Sequence, residues 1–99
     1  MYETMDELED AVRRRLYRMR DLGDDMAAIR VRETSPDGVV TVEVDGNGKL
    51  LDLEFSEAIS RLAPSDFEKT LVDTAMAAAR QAFAQRGELI EAFNEEMRR

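Results

Sequence analysis

The sequence has no cysteine and no histidine among its 99 residues. Without cysteine, the chain cannot form disulfides, bind zinc or an iron–sulfur cluster through thiolates, or use a thiol nucleophile. Without histidine, it lacks the side chain that most often acts as a general base or a metal ligand near neutral pH. We therefore expect neither a metal nor any other cofactor.

Long hydrophobic runs are missing as well. No segment approaches the roughly 18 consecutive apolar residues that a membrane-spanning helix needs. The first residues, Met1 to Asp6, are acidic, whereas a signal peptide begins with basic residues and continues with apolar ones. We expect a cytoplasmic protein without a membrane partner.

Few residues remain that could carry out catalysis. The serines have no histidine base, and the two lysines, Lys49 and Lys69, lie in polar surroundings. The adjacent carboxylates of Asp24-Asp25 and of Glu95-Glu96 diverge by about 100° around a helix and do not pair. The sequence therefore predicts a protein that is not an enzyme and has no small-molecule substrate.

Hydrophobic periodicity and turn residues predict a single α+β domain, residues 1–99, with the element order α-β-β-β-α. Two turn signals, Ser35-Pro36-Asp37-Gly38 and Asp45-Gly46-Asn47-Gly48, join three alternating segments into an antiparallel meander. Capping-box spacing marks both helix starts, at Thr4 with Glu7 and at Ser65 with Glu68. The predicted elements are a helix at about 4–26, strands at about 28–34, 39–45 and 49–55, and a long helix at about 65–97.

The second turn also has nearly the spacing of an EF-hand calcium loop, from Glu43 through Asp45 and Asn47 to Glu54. An EF-hand needs a helix on each side of the loop, but the flanking residues alternate with the period of strands. The hairpin therefore places Glu43 and Glu54 on strands, away from the turn. We interpret the segment as a turn without a metal.

Apolar stripes on the two predicted helices indicate an oligomer. A three-stranded sheet covers only about 15–20 Å of a helix, and both helices are longer than that. The uncovered stripes would form exposed apolar patches, which usually mark an interface. The simplest expectation is a two-fold homodimer. Its predicted interface residues are Met5, Leu8, Val12, Met19, Phe83, Ile90 and Phe93.

Arginine is concentrated in one short segment of a chain whose net charge is −8. The acidic excess lies mainly in residues 33–65, whereas residues 13–20 contain five arginines and no acid. Such arginines can hold DNA phosphates, or they can form a solvated face that pairs with acids three or four residues away. The candidate nucleic-acid-binding residues are Arg13, Arg14, Arg15, Arg18 and Arg20, with Arg15 either among the phosphate contacts or at the dimer seam.

The chain also resembles the YbaB/EbfC family of bacterial nucleoid-associated proteins, most closely its actinobacterial members. The resemblance lies in the first helix, the hairpin from Ser35 to Gly48, the strand Leu51-x-Leu53-x-Phe55 and the following helix with Ala75-x-x-Ala78-Ala79-x-x-Ala82. It implies a tweezer-like homodimer that binds duplex DNA with weak sequence preference in the bacterial nucleoid.

The resemblance leaves a second function open. Some actinobacterial relatives are associated with type VII secretion loci, which implies a protein-interaction adaptor or chaperone with little or no DNA binding. The partner would then be another helical protein, held by the exposed helix stripes. The acidic middle of the chain favours this alternative, and the arginine segment favours DNA.

Overall fold

The computed structural model of the protein describes residues 3–98, and Met1, Tyr2 and Arg99 of the expected 1–99 domain lie outside the described residues. It confirms the predicted α+β fold, with an antiparallel sheet of strand order β1-β2-β3. The elements are α1 (Met5–Ala27), β1 (Arg30–Thr34), β2 (Val40–Asp45), β3 (Leu50–Phe55), a 3-10 turn (Glu57–Arg61) and α2 (Pro64–Met97).

The two long helices begin in different ways. At α1, the Thr4 hydroxyl accepts a hydrogen bond from the backbone N–H of Glu7 at 3.0 Å, while the Glu7 carboxylate accepts from the N–H of Glu3. The capping box predicted at the start of α2 was wrong, because Ala63 is the N-cap and makes no side-chain cap bond. Pro64 opens that helix instead, since a first-turn residue needs no intrahelical N–H bond.

The core lies between the sheet and the first half of α2. Val40, Val42 and Val44 of the central strand are fully or almost fully buried, and they face Ala78 and Ala82, which are also fully buried. Alanine at these helix positions lets α2 lie close to the valine side chains, and larger side chains at the edges complete the packing. The sheet therefore fixes the first half of α2 and leaves its second half to extend beyond the strands.

The β2–β3 turn packs against the C-terminal end of α1. A Cβ atom built on Gly46 would lie 2.8 Å from the carbonyl oxygen of Met26, so this close approach requires glycine. The Asp45 carboxylate accepts hydrogen bonds from the backbone N–H groups of Asn47 and Lys49, both at 2.9 Å, and holds the turn together. Gly48 follows with a φ of +78°. These contacts set the position of α1 relative to the sheet.

Helix α1 packs antiparallel on the second half of α2 and then extends past its end. Arg18 of α1 reaches Glu96 in the last turns of α2, while Ile29 and Leu89 meet near the sheet. The thirteen residues of α1 before Arg18 therefore extend about 20 Å beyond α2. The molecule is accordingly elongated, with extents of 71 × 18 × 15 Å. We call residues Met5–Tyr17 the α1 arm. No helix within residues 3–98 is long and apolar enough to cross a membrane.

Candidate nucleic-acid interface

The arginine segment lies across the α1 arm and the first turn after it. Arg13 and Arg20 are seven residues apart, so they lie on one face of the helix at a separation of about 10 Å along its axis. Arg14 and Arg18 are neighbours on a different face, and Arg15 lies at the edge of the apolar stripe. All five arginines are exposed, so a ligand can reach each of them from solvent.

Arg18 is held by two carboxylates. Its Nε atom donates to Oε2 of Glu96 at 2.7 Å, its Nη2 atom lies 2.6 Å from the same oxygen, and its Nη1 atom donates to Oδ2 of Asp21 at 3.2 Å. The hydrogen bond and the charge of Glu96, followed by the charge of Asp21, raise the pKa of the Arg18 guanidinium. Arg18 is therefore already engaged by anionic groups of its own chain.

The other four arginines of the segment differ from Arg18 in this respect. Within residues 3–98, no carboxylate lies within 4 Å of their guanidinium nitrogens. Of the intrahelical ion pairs that a solvated face would make, the structure forms Arg18–Asp21. Four guanidinium groups therefore remain open to solvent on a short length of helix. They are Arg13, Arg14, Arg15 and Arg20.

The outer face of the sheet carries the opposite charge. Arg32 of β1 forms an ion pair with Glu54 across the sheet and lies 3.7 Å from carboxylate oxygens of both Glu43 and Asp52. The hydrogen bond and charge of Glu54 raise the pKa of Arg32, with smaller effects of the other two carboxylates. Three carboxylates around one arginine leave this face negative, so it is unsuited to DNA phosphates. Glu43 and Glu54, the outer positions of the calcium-loop spacing, are thus paired with an arginine.

Two further arginines stabilise the structure around a cavity of about 350 Å³ between α1, the β2–β3 turn and α2. Arg30 donates from Nη1 to the carbonyl oxygens of Ala27 and Ile29, which closes the end of α1. Arg86 donates to Oδ1 of Asn47 at 2.9 Å and ties the turn to α2. These contacts are with protein oxygens, and they explain both arginines by the packing of the hairpin against the helices.

Apolar side chains form an exposed stripe on each long helix. The α1 stripe consists of Met5, Leu8, Val12, Leu16 and Met19, and the α2 stripe consists of Val72, Met76, Phe83 and Ile90. Their exposed fractions range from 38% to 68%. Six of the seven predicted interface residues lie on these stripes. The seventh, Phe93, is half-buried within the chain and lines a small cavity with Arg18, Leu22 and Leu89.

Sequence reasoning missed part of this apolar surface. Val72 and Met76 precede Phe83 and Ile90 at spacings of four, seven and seven residues, so the helical period could have identified them. The exposed Leu50, Leu51 and Phe55 of the edge strand β3 gave no such signal, because the alternation of β3 indicates a covered face. A shift in the β2–β3 register next to Glu43 and Val44 pairs Leu50, instead of Leu51, with Val44.

The chain was compared with known proteins in three ways. A sequence model described as the YbaB/EbfC DNA-binding family matches residues 1–98. The comparison with curated proteins finds no match. Among solved structures, an uncharacterized protein from Helicobacter pylori is similar over 95% of this chain and 98% of its own, with a TM-score of 0.68 and 18% sequence identity. At that identity the likeness is one of fold.

Proposed function

The chain belongs to the YbaB/EbfC DNA-binding family, and we propose that it is a homodimer that binds duplex DNA through phosphate contacts with weak sequence preference. This is a DNA-binding family and not a family of enzymes. The proposed location is the nucleoid in the cytoplasm. The observation that carries the proposal is the group of four arginines on and beside the α1 arm that have no carboxylate partner within residues 3–98.

The chemistry of these arginines fits phosphate better than bases. Guanidinium groups match phosphate oxygens in charge and geometry, and contacts to phosphates position a protein on DNA without reading its sequence. The acidic excess of the chain is concentrated in residues 33–65, and the α1 arm extends away from the sheet. Because recognition depends on local potential, a net charge of −8 is compatible with a basic binding surface at residues 13–20, which contain five arginines and no acid.

Dimer formation is supported by the apolar stripes. A soluble monomer rarely exposes so many large apolar side chains on both of its long helices. Contact with a second copy of the chain would remove these side chains from water. The edge strand β3 adds Leu50, Leu51 and Phe55 to this surface. A dimer would also carry two α1 arms, which doubles the number of arginines available to one DNA duplex.

The proposal is tested by titrating duplex DNA at about 50 mM and about 200 mM salt. For the double variant Arg13→Gln/Arg20→Gln, we expect weaker binding and a smaller salt dependence, by about 0.9 in the log–log slope for each phosphate that is no longer neutralised. The matched control is Arg61→Gln/Arg80→Gln, which removes the same charge at two exposed positions outside α1. If the two double variants bind DNA equally well, the arginine assignment is wrong.

The alternative function is a protein-interaction adaptor or chaperone, and the exposed α1 stripe is the observation that favours it. In that case the stripe would hold an amphipathic helix of another protein. Wild-type protein would then show no salt-dependent shift of DNA at micromolar concentration. A helical partner would instead be recovered with the wild type and would be absent with Val12→Asp.

A further inference from the structure

We propose that Glu96, together with Asp21, acts as an internal substitute for a DNA phosphate and holds Arg18 out of the binding surface. The last turns of α2 would then regulate how many arginines the α1 segment presents. This inference rests on the proposed DNA binding, and it concerns the regulation of that same site. It also distinguishes Arg18 from the four arginines that share its segment.

The contacts of Arg18 carry the proposal. All three guanidinium nitrogens lie within 3.2 Å of carboxylate oxygens, two of them next to Glu96 and one next to Asp21. A phosphate would need those same donors, because carboxylate and phosphate groups use the guanidinium in the same way. The two carboxylates also outnumber the single guanidinium charge. While these contacts persist, the Arg18 guanidinium is neutralised and does not attract phosphate.

The position of Glu96 on α2 is a second reason. The C-terminal end of a helix is the negative end of its dipole, so carboxylates there are unfavourable and basic residues are favoured. The last turn of α2 has no basic residue of its own, yet Glu96 lies in that region. The guanidinium from α1 adds a positive charge at this end of the helix, beside that of the C-cap residue Arg98. The contact with Arg18 therefore offsets the unfavourable position of the Glu96 carboxylate at the negative end of the helix dipole.

The contact is also exchangeable. The side chains of Arg18 and Glu96 are each nearly half exposed, and ion pairs between exposed side chains are weak and sensitive to salt. A DNA duplex offers closely spaced phosphates at a far higher local charge than two carboxylates. Recruiting Arg18 to the interface breaks its ion pair with Glu96, and this cost leaves Arg18 only partly engaged in the wild-type complex.

The test compares Glu96→Gln with Glu95→Gln in the full chain. Both variants remove one negative charge from the same turn, but Glu95 pairs with Arg98 on its own helix. We expect Glu96→Gln to raise the salt slope of DNA binding by up to about 0.9 per chain, so that its affinity falls roughly threefold more than that of the control over a fourfold rise in salt. We expect the slope of Glu95→Gln to stay near that of the wild type.

Three further variants guard against indirect effects on the helix. Arg18→Gln should weaken DNA binding less than Arg13→Gln does. The double variant Arg18→Gln/Glu96→Gln should not show the increase in salt slope that Glu96→Gln alone produces. Equal slopes for Glu96→Gln and Glu95→Gln, with wild-type DNA binding intact, would overturn this inference and leave the proposed function standing. Wild-type protein without salt-dependent DNA binding would overturn both.

Discussion

Replacing Met76 by glutamine tests whether the α2 stripe is covered by a second copy of the chain. Glutamine keeps the length of methionine but favours water, and Met76 is 51% exposed in the single chain. A monomer with this side chain in solvent should therefore fold with nearly unchanged stability. Any large effect must come from an interface that covers the position.

The expected size follows from the exposed fraction. Full burial of a methionine side chain contributes about 1.5–3 kcal/mol, so covering the exposed half contributes about 0.8–1.5 kcal/mol. A two-fold dimer contains the position twice, which gives about 1.5–3 kcal/mol per dimer. We therefore expect the dimer dissociation constant of Met76→Gln to rise by roughly 10- to 150-fold.

Sedimentation equilibrium over a range of protein concentrations measures this constant directly. The matched control is Ala84→Gln, which places the same side chain at an exposed position of α2 about 100° around the helix from Phe83. The control should dimerise like the wild type. The reasoning is refuted if Met76→Gln and Ala84→Gln dissociate alike, or if the wild-type chain sediments as a monomer at all concentrations.

Three further predictions concern stability. Gly46→Ala should lower the free energy of unfolding by about 1–3 kcal/mol because its Cβ would meet the Met26 carbonyl oxygen at 2.8 Å. Gly87→Ala, which finds open space among the described residues, should raise it by about 0.5–1 kcal/mol. Urea unfolding at one fixed protein concentration measures both, and a Gly46→Ala protein as stable as the wild type would contradict the packing of the turn. Hydrogen bonds from backbone N–H groups, above all that of Lys49, hold the pKa of the Asp45 carboxyl below its ordinary value. The ionised carboxylate therefore stabilises the fold above about pH 4, and this stabilisation is lost as the pH falls through the lowered pKa of the folded state. Asp45→Asn keeps an acceptor oxygen and cannot titrate, so its melting temperature should fall less than that of the wild type between about pH 6 and about pH 3, and equal falls would count against this account.

The fold followed from local signals that the sequence carries at short range. Alternating valines placed β2 at the centre of a sheet, and the glycine-containing turns joined the three strands in antiparallel order. The cap at Thr4 could be predicted because its partner is three residues away. The prediction of a cap at Ser65 failed because Pro64, one residue earlier, is itself a favourable first residue for a helix.

The candidate site depended on contacts between residues far apart in the chain. The sequence located the five arginines, but it could not show which of them are paired with carboxylates in the folded chain. The partner of Arg18 is 78 positions away, and it is set by the register in which α1 packs on α2. Intrahelical spacing suggested pairing with several acids, and the structure forms the one with Asp21. Local spacing gives possible ion pairs, and side-chain rotamers decide among them.

The length by which the α1 arm extends past α2 has a consequence for how the protein responds to its own abundance. Most of the stability of a helix in a protein comes from packing, and the arm lies beyond the end of α2. Its helical order, and with it the alignment of Arg13 with Arg14 and Arg15, therefore depends on whatever covers the α1 stripe. If a second copy provides that cover, folding of the arm is coupled to association. DNA affinity would then rise more steeply than in proportion to protein concentration, so the amount of protein in the cell would itself act as the switch.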